Sequence, residues 1–220
     1  MLLTISTTHR PATDLGDLLH HDVDGIGMAA LPFGHAMVCY SQADDARCTA
    51  AMMLDAVPAG PSQMGVALAQ VFGRALHGHG GVRSELADRP LPFEVALPVL
   101  PSRGGPALVR RLFEPLGYEV TVDPVPFDAP LPADNAPGEV AVRLAGQVRT
   151  ADLLSHLCVL LPVLDETQPE ALPGAGDESV LDWLLVEGDD WIGPHPALAC
   201  IARRYAGHHW PRRRQCSRTA

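Results

Sequence analysis

Apolar and polar residues alternate in short stretches along much of the chain, and this alternation constrains the fold more than any other feature. Leu3 and Ile5, for example, alternate with Thr4 and Ser6 near the start of the chain. A period of two is typical of a β-strand that buries one of its faces. On this basis strands are predicted over residues 2–8, 31–40, 47–54, 93–99, 118–122 and 140–148.

Stretches with helical spacing separate these strands at irregular intervals. Predicted helices follow the capping residues Thr13, Ser62 and Thr150, another starts at Pro106, and two more cover residues 180–186 and 197–205. An irregular mixture of strands and helices is typical of the α+β class. The predicted fold is therefore α+β, with a mixed or antiparallel sheet covered by helices and a helical C-terminal segment.

Glycine and proline positions refine this prediction at two places. Residues 25–30, Gly-Ile-Gly-Met-Ala-Ala, match the G-x-G-x-x-A pattern of a phosphate-binding loop. The polar residues before this segment are not the apolar strand that such a loop follows, so a turn is predicted here instead. Pro98 has no N–H to donate, which places its strand at a sheet edge or puts Pro98 near the strand's end.

The composition indicates a globular chain that does not cross a membrane. Of its 220 residues, 47% are hydrophobic and 19% are charged, which favours a folded chain over a disordered one. No apolar run is long enough for a spanning helix, and the first residues lack the basic start of a signal peptide. Five scattered cysteines without C-x-x-C spacing are expected to be reduced, and the predicted location is the cytoplasm.

The charged residues exclude several classes of function. A net charge of −10 argues against the whole chain being an electrostatic nucleic-acid binder, so any RNA contact is expected to be local or indirect. All sixteen basic residues are arginine. Without lysine the chain cannot be a nucleotidyl-lysine ligase, a Walker-type nucleotide binder or a Schiff-base enzyme.

The motifs that carry chemistry are weak throughout the sequence. His77 and His79 lie close together, but a metal site needs three or four ligands and no suitable carboxylate or thiol is near. Ser155, His156 and Cys158 lie on a predicted helix, where neighbours one and two apart do not face each other. No catalytic, cofactor or metal residue is therefore predicted.

A few arginines and one histidine are candidates for contact with a partner or with RNA. His9 and Arg10 follow the first strand and could form a polar binding edge, although a capped turn also explains them. Arg103, Arg110 and Arg111 lie beside the start of a predicted helix, where backbone N–H groups attract phosphate. Solvated side chains on a polar helix face explain Arg110 and Arg111 equally.

Several ordered stretches resemble one bacterial protein family. Its members are 3′-terminal RNA ribose 2′-O-methyltransferases, which work with a polynucleotide kinase-phosphatase-ligase partner. The chain resembles the amino-terminal region of these enzymes. The stretches that carry it are residues 3–16, 47–51, 97–101, 103–105, 110–120, 151–157 and 159–165. The resembling region is predicted to span residues 1–206, as one body or as two lobes that meet near residues 167–176. A basic, divergent tail follows at residues 207–220.

The resemblance implies a role in the repair of cleaved RNA. In this family the amino-terminal region associates with the partner's ligase module and activates end joining. A separate domain, which nothing in this sequence matches, methylates RNA with S-adenosylmethionine and a divalent metal. The chain is thus expected to be a non-catalytic activator that needs no cofactor of its own.

Two alternatives stay open. The chain could be one portion of an RNA methyltransferase whose catalytic domain is supplied elsewhere, or an inactive remnant of such an enzyme. The segment at residues 57–65 is shorter than the family's basic and aromatic one, which favours the second alternative because a partner-binding surface could be lost.

Overall fold

Seven strands and a set of mostly short helices make up the described parts of the chain. The computed structural model describes residues 1–56, 59–78, 84–102, 104–125, 138–165 and 191–206. The strands are β1 Leu2–Thr7, β2 Gly27–Leu31, β3 Gly34–Ala43, β4 Cys48–Ala56, β5 Leu91–Pro101, β6 Glu119–Pro124 and β7 Glu139–Val148. The helices are α1 Asp14–Leu19, α2 Pro61–Val71, α3 Gly73–Leu76, α4 Ser84–Ala87, α5 Gly105–Phe113, α6 Thr150–Leu160 and α7 Leu198–Ala206. Short 3-10 turns follow α5 at Glu114–Leu116 and α6 at Pro162–Leu164.

The strands form one open sheet in the order β2-β3-β4-β1-β5-β7-β6 among the described residues. Every neighbouring pair is antiparallel. The first strand lies in the middle of the sheet, between β4 and β5, while β2 and β6 form the two edges. These observations confirm the predicted α+β class and decide between the two predicted sheet types in favour of the antiparallel one.

The hydrophobic core lies between one face of the sheet and the helices. The alternate residues of β1 that face it are Leu3 and Ile5, each 1% exposed. Helices α1 and α2 pack on β4, while α5 packs on β6 and β7. Residues 153–160 of α6 are all buried, and this helix packs against α2 and α3. A helix that is apolar nearly all round belongs in a core, and α6 follows that rule.

No helix in the described ranges is long and apolar enough to cross a membrane. Several sequence predictions fall outside those ranges. They are the linker at residues 167–176, the helix at 180–186, most of the loop at 124–138 and the tail at 207–220.

The predicted turn at residues 25–30 is wrong, because Gly27–Leu31 forms the edge strand β2. This strand pairs with β3 through a turn at Pro32 and Phe33, so only the start of the strand predicted over residues 31–40 is wrong: Leu31 ends β2, and β3 begins at Gly34. Glycine and alanine have low β-propensity, and their pairing with β3 outweighs that preference.

The predicted helices that fall in the described ranges are confirmed, but two of their three predicted N-caps are wrong. Thr13 holds the N-cap position of α1, although its side chain makes no capping bond, whereas Thr150 lies inside α6, where Arg149 holds the N-cap position. The N-cap of α2 is Gly60 rather than Ser62. The Gly60 N–H donates instead to Gln63 Oε1 at 3.1 Å, so a side chain from the first turn satisfies this amide.

Pro98 lies in an interior strand, so of the two predicted places, a sheet edge or near the strand's end, the edge is wrong. Strand β5 is paired on both sides, yet its pairing with β1 covers only residues 93–96. On the other side, the register with β7 shifts between Leu97 and Leu100. The proline therefore falls at a bulge near the end of the paired region, where its missing N–H breaks no regular ladder.

Candidate functional site

The face of the sheet opposite the core carries a continuous row of apolar side chains. Met28 pairs with Met37, Met37 with Met53, and Met53 with Leu2, so the row crosses β2, β3, β4 and β1. Met28 is 67% exposed, Met53 48% and Leu2 36%. We call these four residues the apolar row. Exposed apolar side chains that adjoin one another mark interaction surfaces more often than isolated ones do.

Ile26 extends this exposed apolar surface toward the sheet edge. It precedes β2, stands two residues before Met28, and is 69% exposed. Residues two apart in an extended chain point to the same side. The two most exposed large apolar side chains of the described residues, Ile26 and Met28, thus lie at the start of the edge strand.

A polar pocket of about 310 Å³ lies farther along the sheet, at the ends of β1, β5 and β7. Ser6 Oγ and Thr49 Oγ1 are hydrogen-bonded across the β1–β4 pair at 2.9 Å. Glu94 is placed next to Ser6 by the β1–β5 pairing, and it lies 3.3 Å from Arg47 and 3.8 Å from Arg143. Two arginines sharing one partly exposed carboxylate stabilise the fold only weakly, but they fix the charge pattern of this pocket.

Thr7 and Thr8 line this pocket, and His9 and Arg10 are the next two residues along the chain. The backbone N–H of His9 donates to Thr7 Oγ1 at 3.2 Å, and Arg10 is exposed. This bond is typical of the capped turn that sequence analysis gives as one explanation. It leaves both side chains at the surface, so their role in binding stays a prediction.

Arg110 and Arg111 lie on α5, and no hydrogen bond or ion pair between described residues joins them to the end of β1. Arg110 donates to the Val120 carbonyl of β6 at 2.6 Å and pairs with Glu114 at 3.7 Å. Arg111 is exposed, and Arg103 lies outside the described residues. The described candidates therefore form two separate groups, and the bonds of Arg110 indicate a structural role for that residue.

A buried polar cluster joins the C-terminal segment to the core. The Tyr118 hydroxyl and His156 Nδ1 are 2.8 Å apart, and Trp191 Nε1 donates to Ser155 Oγ at 2.9 Å. The Trp191 ring also lies edge-on to His156, with the ring centroids 4.7 Å apart. Ser155 and His156, whose positions on a helix made them a weak candidate for nucleophilic catalysis, instead hydrogen-bond to Trp191 and Tyr118.

The protonation states of this cluster follow from its burial. Burial lowers the pKa of His156 to about 4, with Asp152 opposing the shift and His195 adding to it. Burial also raises the pKa of Tyr118 well above its usual value. The pair thus consists of a neutral imidazole and a neutral phenol near neutral pH, joined by a hydrogen bond between uncharged groups.

Groups of three or more His, Cys, Asp and Glu side chains that could hold a metal ion do not occur within the described ranges. Of the two histidines at residues 77 and 79, the second lies outside those ranges.

The fold and the surface define a class: an α+β domain whose antiparallel sheet is packed by helices on one face and shows an apolar row on the other. A model of the family described as "RNA repair, ligase-Pnkp-associating, region of Hen1" matches residues 1–61 and 58–218. The chain belongs to this family, which confirms the resemblance found in the sequence. The match continues beyond residue 206, the last described residue, and the predicted domain boundary there stays a prediction.

Two solved structures share the fold. One is described as "Structure of the Pnkp1/Rnl/Hen1 RNA repair complex"; its matching chain has a TM-score of 0.52 at 14% identity, over 85% of this chain and 46% of that one. The other, "Structure of Pnkp1/Rnl/Hen1 complex", gives a TM-score of 0.52 at 14% identity, over 84% of this chain and 47% of that one. The chain thus spans just under half the length of the chains it matches. No curated protein matches it.

Proposed function

We propose that this chain is a non-catalytic module of bacterial RNA repair, which binds and activates the RNA ligase module of a kinase-phosphatase-ligase protein in the cytoplasm. Its family membership, over nearly the whole chain, is the observation that carries the proposal, since the family is described as ligase- and Pnkp-associating. Binding and activation are the parts of this proposal that go beyond that description.

The face of the sheet opposite the core supports a role in association. Apolar side chains such as Met28 and Met53 are largely exposed there, and an apolar core rimmed by polar groups is the usual composition of a protein interface. The polar pocket at the other end of the same face supplies paired charges, which give an interface specificity more than affinity. We therefore assign association, rather than turnover, to this face.

Activation of the ligase follows if the chain binds the active conformation of the ligase more tightly than the inactive one. A partner shifts a conformational equilibrium only by its difference in affinity for the two states. Coupling free energies of this kind shift such an equilibrium by about 5- to 150-fold, and activity rises with the share of the active conformation. Such an effect requires no cofactor, metal or nucleophile on this chain.

The decisive experiment combines the purified chain with the kinase-phosphatase-ligase protein of the same organism. Sealing of a nicked RNA is measured with and without the chain, and complex formation is measured by sedimentation. We expect a complex and at least about a fivefold faster sealing rate. An equal amount of an unrelated acidic protein is the control. Unchanged sealing without a complex would refute the proposal and favour the inactive remnant.

The coverage of just under half of the matching chains favours one second candidate, a portion of an S-adenosylmethionine-dependent RNA methyltransferase. Calorimetric titration with S-adenosylmethionine separates the two candidates, because the leading one requires no binding by this chain. Heat of binding at micromolar ligand, together with methylation of an RNA 3′ end, would favour the methyltransferase.

A further inference from the structure

The edge strand β2 combines two features that together select a particular kind of ligand. Within the described residues it pairs with β3 on one side and with nothing on the other. In an antiparallel strand, alternate residues point both backbone groups away from the paired neighbour, so an edge offers N–H donors and C=O acceptors in a row. At the same edge, Met28 and Ile26 present large apolar side chains to solvent.

We propose that β2 binds an extended segment of the partner protein, which adds to the sheet as a further strand. The inference rests on the proposed function, since it names the edge at which the ligase-bearing partner docks. Backbone hydrogen bonds along Gly27–Leu31 give affinity, and side chains on alternate positions give specificity.

The register of the sheet defines the side chains that the added strand should carry. The apolar row ends at Met28, so a residue opposite Met28 on an added strand extends that row by one position. The residues two positions before and after Met28 are Ile26, which is bulky, and Ala30, which is small. An added strand should therefore present large apolar side chains opposite Met28 and toward Ala30, where there is room.

Charge defines the flank of this segment and disfavours a second copy of the chain as occupant. Asp22 and Asp24 are exposed just before β2, and β2 itself carries no charged side chain. The chain as a whole has a net charge of −10, which opposes self-association. A partner strand with Lys or Arg residues next to the two aspartates is the complementary ligand, and we commit to that occupant.

Binding of the kinase-phosphatase-ligase protein to the full chain and to surface variants tests this inference. Met28→Asp and Ile26→Asp place a carboxylate in the proposed contact without disturbing the core, because both side chains are more than half exposed. We expect each variant to weaken binding about tenfold or more, and Met28→Leu to bind like the wild type. Leu198→Asp, an exposed apolar residue on α7, is the matched control and should change the dissociation constant less than about twofold.

Hydrogen exchange of the complex separates strand addition from side-chain packing alone. The alternate amides of residues 27–31 that point away from β3 should gain protection when the partner binds, since these edge donors become hydrogen-bonded. Circular dichroism confirms that each variant is folded.

Each remaining outcome decides against the inference. If the wild type binds but the Met28 and Ile26 variants bind equally well, or the outward-pointing β2 amides gain no protection, the edge is not the docking site, while the proposed function stands. A wild type that does not bind overturns both. A dimer of this chain that Met28→Asp dissociates identifies a second copy as the occupant and overturns the choice of partner.

Discussion

The buried imidazole of His156 should make the fold less stable in mild acid. Only 6% of this residue is exposed, and its Nδ1 is hydrogen-bonded to the Tyr118 hydroxyl at 2.8 Å. Protonation would leave a charge in a desolvated site, which is why burial lowers the pKa to about 4.

The direction and size of the effect follow from the two pKa values. Above pH 6.5 the imidazole is neutral in both the folded and the unfolded chain, and it adds no pH dependence. Below 6.5 the unfolded chain takes up a proton that the folded chain refuses, so the free energy of unfolding falls as the pH falls toward about 4. Each unit of difference between the two pKa values is worth about 1.4 kcal/mol, so the full loss is about 3 kcal/mol. At about pH 5 the loss relative to about pH 7.5 is about 2 kcal/mol.

Urea unfolding at these two pH values measures the effect, with His156→Asn as the matched variant. The asparagine amide can take the place of Nδ1 as the hydrogen-bond partner of Tyr118, but it does not titrate. The asparagine variant should lose about 2 kcal/mol less than the wild type between about pH 7.5 and 5, because other titrating groups cancel in the difference. Equal losses in the two proteins would show that His156 is protonated as readily in the folded chain as in the unfolded one, and would refute the reasoning.

Two further predictions concern packing and the role of one candidate arginine. Gly65→Ala should destabilise the fold by about 1–3 kcal/mol, because an added Cβ would lie 2.9 Å from Pro162 Cγ in a close helix contact. The exposed Gln70→Ala in the same helix should stay within about 0.5 kcal/mol of the wild type by urea unfolding, and similar values for both variants would contradict the contact. Arg110→Ala should cost about 1 kcal/mol more than Arg111→Ala, because only Arg110 donates to a main-chain carbonyl of β6. Equal thermal midpoints for the two arginine variants would disprove that structural role.

Local pattern was sufficient wherever a single strand or helix carries its own apolar period. Leu3 and Ile5 in β1 and the apolar positions of α5 are buried as their spacing predicts. The edge strand β2 was missed because Gly27, Ala29 and Ala30 lack the branched or aromatic side chains that favour strands. Its strand conformation comes from pairing with β3, which a pattern read along one segment does not contain.

The candidate surface depends even more on tertiary structure. Met28, Met37 and Met53 come from three strands, and the register of two strand pairs is required before they form one row. The same holds for the buried cluster, in which Tyr118 and His156 are separated by 38 residues. Each of these residues taken alone has an ordinary explanation as core or surface, so the sequence offers no signal for either set.

The failure to predict β2 bears on the docking inference. Within the described residues, β2 has weak intrinsic propensity and a single neighbouring strand. Half of its backbone N–H and C=O groups therefore point away from that neighbour, and its side chains have little to pack against. Such a strand gains more from a second neighbour than an interior strand does, because the added partner covers Met28 and completes the hydrogen bonding of the backbone. Places where local preference and observed structure disagree tend to be functional. The disagreement at β2 coincides with the most exposed large apolar side chains of the described residues, Ile26 and Met28, and both observations are explained if the partner completes this edge.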